Sequence, residues 1–237
     1  MSFEYTITRS ERKTTAIHIR NGCVEVRCPT WLPRSDIDEY VAKKKKWIER
    51  NLRADNSRLK ERSAFVLDYG STVFYRGKEY PIAAGHRDYA VFDCTAFRIP
   101  PDLSPEGVKS ACVRLYMSLA KYYLPERTKE LAGKTGVFPN AVKINNAKTR
   151  WGSCTSTKNI NFSWRIIMAP DDVIDLIIIH ELTHLKVMNH SKLFWEQVDS
   201  ILPDSEDRKW SLALFSERLS RENWDIAERR KHDYGRI

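Results

Sequence analysis

A chain of 237 residues with 42% hydrophobic and 30% charged residues has the usage of a folded protein of one or two domains, which excludes disordered and collagen-like classes. No stretch approaches the roughly 18 consecutive apolar residues of a membrane helix, and MSFEYTITRSERK lacks a signal peptide's apolar core, so a cytoplasmic location and no membrane partner are expected. The net charge is +9, of which +6 falls between Val41 and Arg62, where nine basic residues meet three acidic ones. That makes nucleic acid a candidate partner through 41–62, the plainer reading being a solvated helix face.

In chain order, short alternations at Tyr5–Ile7, Ala16–Ile19 and Val24–Val26, with Asn21-Gly22 between the last two, predict a β-meander. Ser35 or Asp36 can cap a helix in which Ile37, Tyr40, Val41, Lys44, Trp47, Ile48 and Leu52 recur at helical spacing, running to about Leu59 with the basic run on its other face. Short β-prone segments return from Val66 to Ile99, and a linker at Pro100–Pro105 marks the expected domain boundary. Ser104-Pro105-Glu106 then starts a helix striped by Val108, Cys112, Leu115, Leu119 and Tyr122, which Pro125 should kink or restart. Val142–Ile144 and Ile160–Ile166 read as strands paired through the turn-rich Trp151–Thr157 loop. Asp171 is the expected cap of a helix apolar on nearly every side and therefore buried. The stretch from Glu217 to Ile237 reads as an exposed helix or frayed tail.

The buried helix carries His180-Glu181-Leu182-Thr183-His184. Residues four apart share a helix face, so His180 and His184 can offer ring nitrogens to one zinc ion, with Glu181 beside it as a base for a water molecule. Burying such groups among Ile, Leu and Val without a purpose costs several kcal/mol. A catalytic zinc usually takes a third protein ligand. His190 can fold back over the site from the turn after the helix, and Glu196 and Asp199 on the next helix are weaker alternatives. His18, His86 and His232 read as ordinary histidines. Arg150 could stabilise an oxyanion or grip a carboxylate or phosphate, an ion pair being the plainer reading. Cys154 reads as structural rather than as a nucleophile.

The pattern Arg150-Trp151-Gly152-Ser153-Cys154, Asn161, Trp164, Ala169-Pro170, His180-Glu181-Leu182-Thr183-His184-Leu185, Asn189-His190-Ser191 and Phe194-Trp195 resembles the YgjP-like family of metal-dependent hydrolases. Ser10-Glu11-Arg12-Lys13-Thr14 and Lys46-Trp47-Ile48 extend the likeness over nearly the whole chain. The resemblance implies a zincin-type metallopeptidase related to the SprT and Spartan proteases, with zinc at His180, His184 and His190 and Glu181 as the base. Thr183 stands where many members have Cys and Ser163 where Asn is expected, which puts a polar contact on the cleft strand in doubt. The expected fold is α+β: a β-rich N-terminal domain over 1–102 with one inserted basic helix, then a zincin-like catalytic domain over 103–237 with the buried HExxH helix.

The leading function is a zinc-dependent hydrolase acting on peptides or proteins. In it the strand Ile160–Ile166 would lend its edge to an extended peptide, with Arg150 and Asn161 as candidate substrate or transition-state contacts. The alternatives are a metal-dependent phosphohydrolase acting on nucleotides, or a nucleic-acid-associated protein with a protease-like domain.

Overall fold

A computed structural model describes residues 3–226 as a mixed α+β chain of two units. One unit runs up to Phe65 and takes in Leu219–Asn223; the other comprises Val66–Arg218 and the chain from Trp224 onward. The boundary expected near residue 102 does not coincide with this division, because the strands between Val66 and Ile99 pack with the second unit.

In the first unit, β1 (Tyr5–Ser10), β2 (Ala16–Arg20) and β3 (Cys23–Pro29) form a sheet ordered β1-β3-β2. Asn21 and Gly22, at φ 52° and 74°, turn β2 into β3 as an antiparallel hairpin. The predicted meander is corrected: β1 pairs with β3 in parallel. β3 is the most apolar strand, with Val24, Val26 and Cys28 buried, so it takes the centre. The single predicted helix is two, α1 (Arg34–Lys43) and α2 (Lys45–Ala64), broken at Lys44. Pro33, rather than Ser35 or Asp36, is the N-cap residue of α1. Ile37, Val41 and Ile48 complete the core over the sheet, while Trp47 is 41% exposed. Asp55 is buried on α2 and accepts hydrogen bonds from Gly22 N and Arg58.

The second unit opens with β4 (Thr72–Tyr75), β5 (Lys78–Ala84), β6 (Val91–Phe92) and β7 (Phe97–Ile99), ordered β4-β5-β7-β6. α3 (Pro105–Thr135) follows, capped by Ser104 accepting from Gly107 N and closed by left-handed Gly136. It passes through Pro125 without restarting. β8 (Ala141–Asn145), β9 (Gly152–Cys154) and β10 (Asn159–Ser163) make a third sheet, ordered β8-β10-β9.

The two predicted strands do pair, but in parallel, and the loop between them supplies β9, antiparallel to β10. β10 is therefore central, and the edge role assigned to Ile160–Ile166 is corrected. The strand also ends at Ser163, where a 3-10 turn (Trp164–Met168) begins. Trp164 Nε1 and Arg165 Nη1 both donate to Asn146 Oδ1 at 2.8 Å. Successive side chains on a strand point to opposite faces and could not share one acceptor.

After this turn come α4 (Asp171–Thr183), α5 (Lys192–Ile201) and α6 (Ser205–Ser220). α4 is as buried as expected, from Val173 to Thr183, although Pro170 is its N-cap residue and Asp171 instead pairs with Arg76. The β4–β5 hairpin holds the start of α4. Arg76 N and Gly77 N donate to Ile167 O and Met168 O, Arg76 grips Asp171 with two bonds of 2.7 Å, and Gly77 is so close to Pro170 that a Cβ would lie 2.8 Å from its Cα. At mid-helix, Arg127 of α3 makes a two-pronged ion pair with Asp175. No helix among the described residues is long and apolar enough to cross a membrane. The exposed-tail reading for Glu217–Ile237 is corrected over the described part: α6 runs to Ser220 with Leu219 buried, and Trp224 is buried edge-on against Tyr116 and Trp164; 227–237 lie outside the described residues, His232 included.

Candidate metal centre

His180 and Glu181 occupy the last turn of α4 and His184 is its C-cap residue, so the four-residue spacing puts both imidazoles on one side. The chain then turns through Val187–Asn189 and brings His190 back just before Ser191, the N-cap residue of α5. Ring nitrogens of His180, His184 and His190 all lie within 4.8 Å of one another. Nε2 of His180 is 3.1 Å from Nε2 of His190. Glu196 pairs with Lys192, and Asp199 accepts from Ser205 Oγ at 2.6 Å, so neither alternative ligand joins the cluster.

Phe194, fully buried on α5, packs against all three imidazoles at ring separations of 4.6–4.9 Å. Trp195 stacks on His190 at 6.0 Å, and Lys209 of α6 sits 3.9 Å over the Trp195 ring. The sequence put these aromatics on the helix after His190 and in the family pattern, not against the imidazoles; their positions four and five residues after His190 were the available signal. His184 Nδ1 lies 3.1 Å from Val187 O, and donation there leaves Nε2 free to face the cluster.

Burial, reinforced by the neighbouring histidines and Lys209, pushes the His180 imidazole down to about 4. Burial also lowers His184. Both are thus neutral at pH 7, the form in which imidazole binds metal. Burial pushes Glu181 up to about 7, against the opposing charge of Arg150. Its Oε2 is buried with no hydrogen-bond partner among the described residues. An orphaned carboxylate oxygen on the residue next to His180, with three imidazoles converging, fits a site built for a metal ion and its water.

β9 borders Glu181 closely: a Cβ on Gly152 would stand 2.6 Å from Glu181 Oε1. Glycine is the residue that lets the strand approach this carboxylate. Burial and the Glu181 charge raise the Cys154 thiol above its ordinary value, so it is not an activated thiolate. Arg150 is exposed, near enough for its charge to act on Glu181, and has no hydrogen bond or ion pair among the described residues.

Asn161 is not brought to this face. It stands opposite Ser153, whereas Gly152 stands opposite Phe162, and directly opposed residues point to the same side of a sheet. Asn161 therefore lies on the side away from Glu181. Ser163, where Asn was expected, donates to Ala147 O at 2.7 Å and accepts from Arg165 N, a fold-holding role.

Comparison with characterised proteins finds no match. Among solved structures the chain is similar to the metallopeptidase zymogen of Pyrococcus abyssi abylysin, at 22% identity over 42% of this chain and 98% of that one, with a TM-score of 0.37. Comparison with protein families matches residues 13–214 to "YgjP-like, metallopeptidase domain", and the chain belongs to that family.

Proposed function

We propose that the protein is a zinc-dependent hydrolase of peptide bonds, and the observation that carries this is the histidine trio with the orphaned Oε2 of Glu181, the residue next to His180. His180, His184 and His190 would hold the ion, which is the three-ligand set of an open catalytic zinc site. A bound zinc ion supplies Lewis acidity that makes water acidic enough to lose a proton near neutrality and polarises the scissile carbonyl. Glu181 takes that proton at Oε2 and later passes it to the leaving amine. In the metal-free protein burial holds Glu181 above the ordinary carboxylate range, which strengthens it as a base. Phe194 excludes water beneath the imidazoles and fixes their orientation. Arg150 would steady negative charge on the substrate.

The backbone of β9 supports a peptide as substrate. Trp151 O accepts from Ser163 N and Thr155 N donates to Asn159 O, so the odd-numbered residues face β10. By alternation, the N–H and C=O groups of Gly152 and Cys154 face the open edge. An extended peptide added there would run beside Glu181. A nucleotide phosphohydrolase is the second reading, favoured by the unpaired Arg150, because a free guanidinium beside a metal site also suits a phosphate.

The test loads purified protein with zinc and offers peptide, casein and nucleoside triphosphate substrates, with Glu181→Gln as control. Peptide cleavage lost by a factor of about a hundred or more in the variant is expected. Triphosphate turnover without peptide cleavage would establish the second reading, and cleavage undiminished in Glu181→Gln would remove the proposed base.

A further inference from the structure

The surface of α2 carries a line of cations that the structure leaves without counter-charges. Lys46, Arg50, Arg53 and Lys60 are all exposed and, at 100° per residue, fall within about 80° of arc on the side opposite buried Ile48 and Asp55. At 1.5 Å per residue the line is about 21 Å long. None of the four has a carboxylate partner among the described residues.

The nearby acids are engaged with other groups. Asp38 holds Arg34, Glu39 holds Lys43, Asp55 holds Arg58, and Glu61 holds Arg221 and accepts from Ser57. Glu49, half-buried, lies on the flank of the line. Lys44 and Lys45, at the break between α1 and α2, prolong the positive field at one end.

This line suits one class of partner. A membrane-lying helix needs an apolar face to insert, and the apolar face of α2 is already turned into its own unit. A protein interface needs apolar anchors at its centre and is depleted in lysine. A nucleic acid needs neither, since its phosphates are met by evenly placed cations on a polar surface. Trp47, 41% exposed on the flank, adds a face on which a base can stack. We infer that the α2 face formed by Lys46, Arg50, Arg53 and Lys60 binds the sugar-phosphate backbone of a nucleic acid without reading its sequence.

This surface does not depend on the hydrolase reading, and its test is separate. Binding of the full-length protein to a fluorescent single strand of about 20 thymidylates is followed by anisotropy between about 50 and 200 mM salt. Four phosphate contacts on a single strand predict a log-log slope of about −3, or roughly fifty-fold weaker binding across that range. The triple variant Lys46→Glu, Arg50→Glu, Arg53→Glu should bring the slope near −1 while peptide cleavage stays unchanged. Should charge reversal disturb folding, the Gln versions of the same three positions replace it. Absent binding at the lowest salt, or a variant retaining the wild-type slope, would overturn the inference. So would binding to phosphatidylserine vesicles without binding to the oligonucleotide.

Discussion

Gly152 and Glu181 occupy the same space but for one carbon: a methyl group on residue 152 would lie 2.6 Å from Oε1, 2.7 Å from Cγ and 2.8 Å from Cδ of the glutamate. Glu181 is 6% exposed and has little room to retreat. Gly152→Ala should therefore displace the carboxylate while leaving the histidines in place. Peptide turnover is expected to fall at least about tenfold, the cost of about 1.4 kcal/mol in the barrier, with bound zinc unchanged by elemental analysis. Full activity in the alanine variant would show that the carboxylate position is not critical.

His190 is the exposed member of the trio, held by the turn between α4 and α5. Replacing it with Ala removes one of the three proposed ligands. Zinc affinity should drop by orders of magnitude in competition with a chromogenic chelator, whereas Glu181→Gln should keep about one zinc per chain. If His190→Ala holds zinc as the wild type does, its ligand role is lost.

The raised Glu181 pKa gives a stability prediction for protein stripped of metal. Its folded value of about 7 lies above the ordinary 4.5, so the folded state holds this proton more tightly than the unfolded chain. That contribution is complete below pH 4.5 and is lost as pH rises through 7. The lowered histidines act with the opposite sign and are present in both wild type and Glu181→Gln, so they drop out of the difference. Relative to the Gln variant, wild-type stability should fall by about 3 kcal/mol between pH 4.5 and 7, at 1.36 kcal/mol per pKa unit. Urea unfolding at several pH values checks this, and parallel curves for the two proteins would refute it.

The open edge of β9 separates the two hydrolase readings. Cys154→Pro removes an N–H that faces away from β10, so the ladder survives, as prolines at sheet edges do. Losing one substrate hydrogen bond of about 0.5–1.5 kcal/mol should lower kcat/KM for extended peptides by roughly two- to tenfold. A substrate that does not pair as a strand should be turned over as before. Equal effects on both substrate kinds would count against peptide pairing at this edge.

The chemistry of the site was more legible in the sequence than its scaffold. His180, Glu181 and His184 declare themselves because helical spacing is rigid, and His190 because only six residues separate it from His184. The end of the strand was misplaced for the opposite reason. Alternation along 159–166 continues past the true strand end at Ser163, and what stops the strand is Asn146, a partner 18 and 19 residues away from Trp164 and Arg165. Long-range pairing of this kind leaves no local trace. The same holds for β9, whose three residues carry turn chemistry and become a strand because Gly152 lets them settle against α4.

The Arg76–Gly77 hairpin has a practical consequence for where this chain can be cut. It sets the starting point of α4, and thus how far along that helix the histidines emerge, yet it belongs to the part of the sequence that composition groups with the N-terminal strands. A fragment beginning at residue 103 would lose the Asp171 ion pair, both backbone bonds to Ile167 and Met168, and the contact on Pro170 together. The shortest piece of the chain able to present the three imidazoles in register therefore starts near Val66.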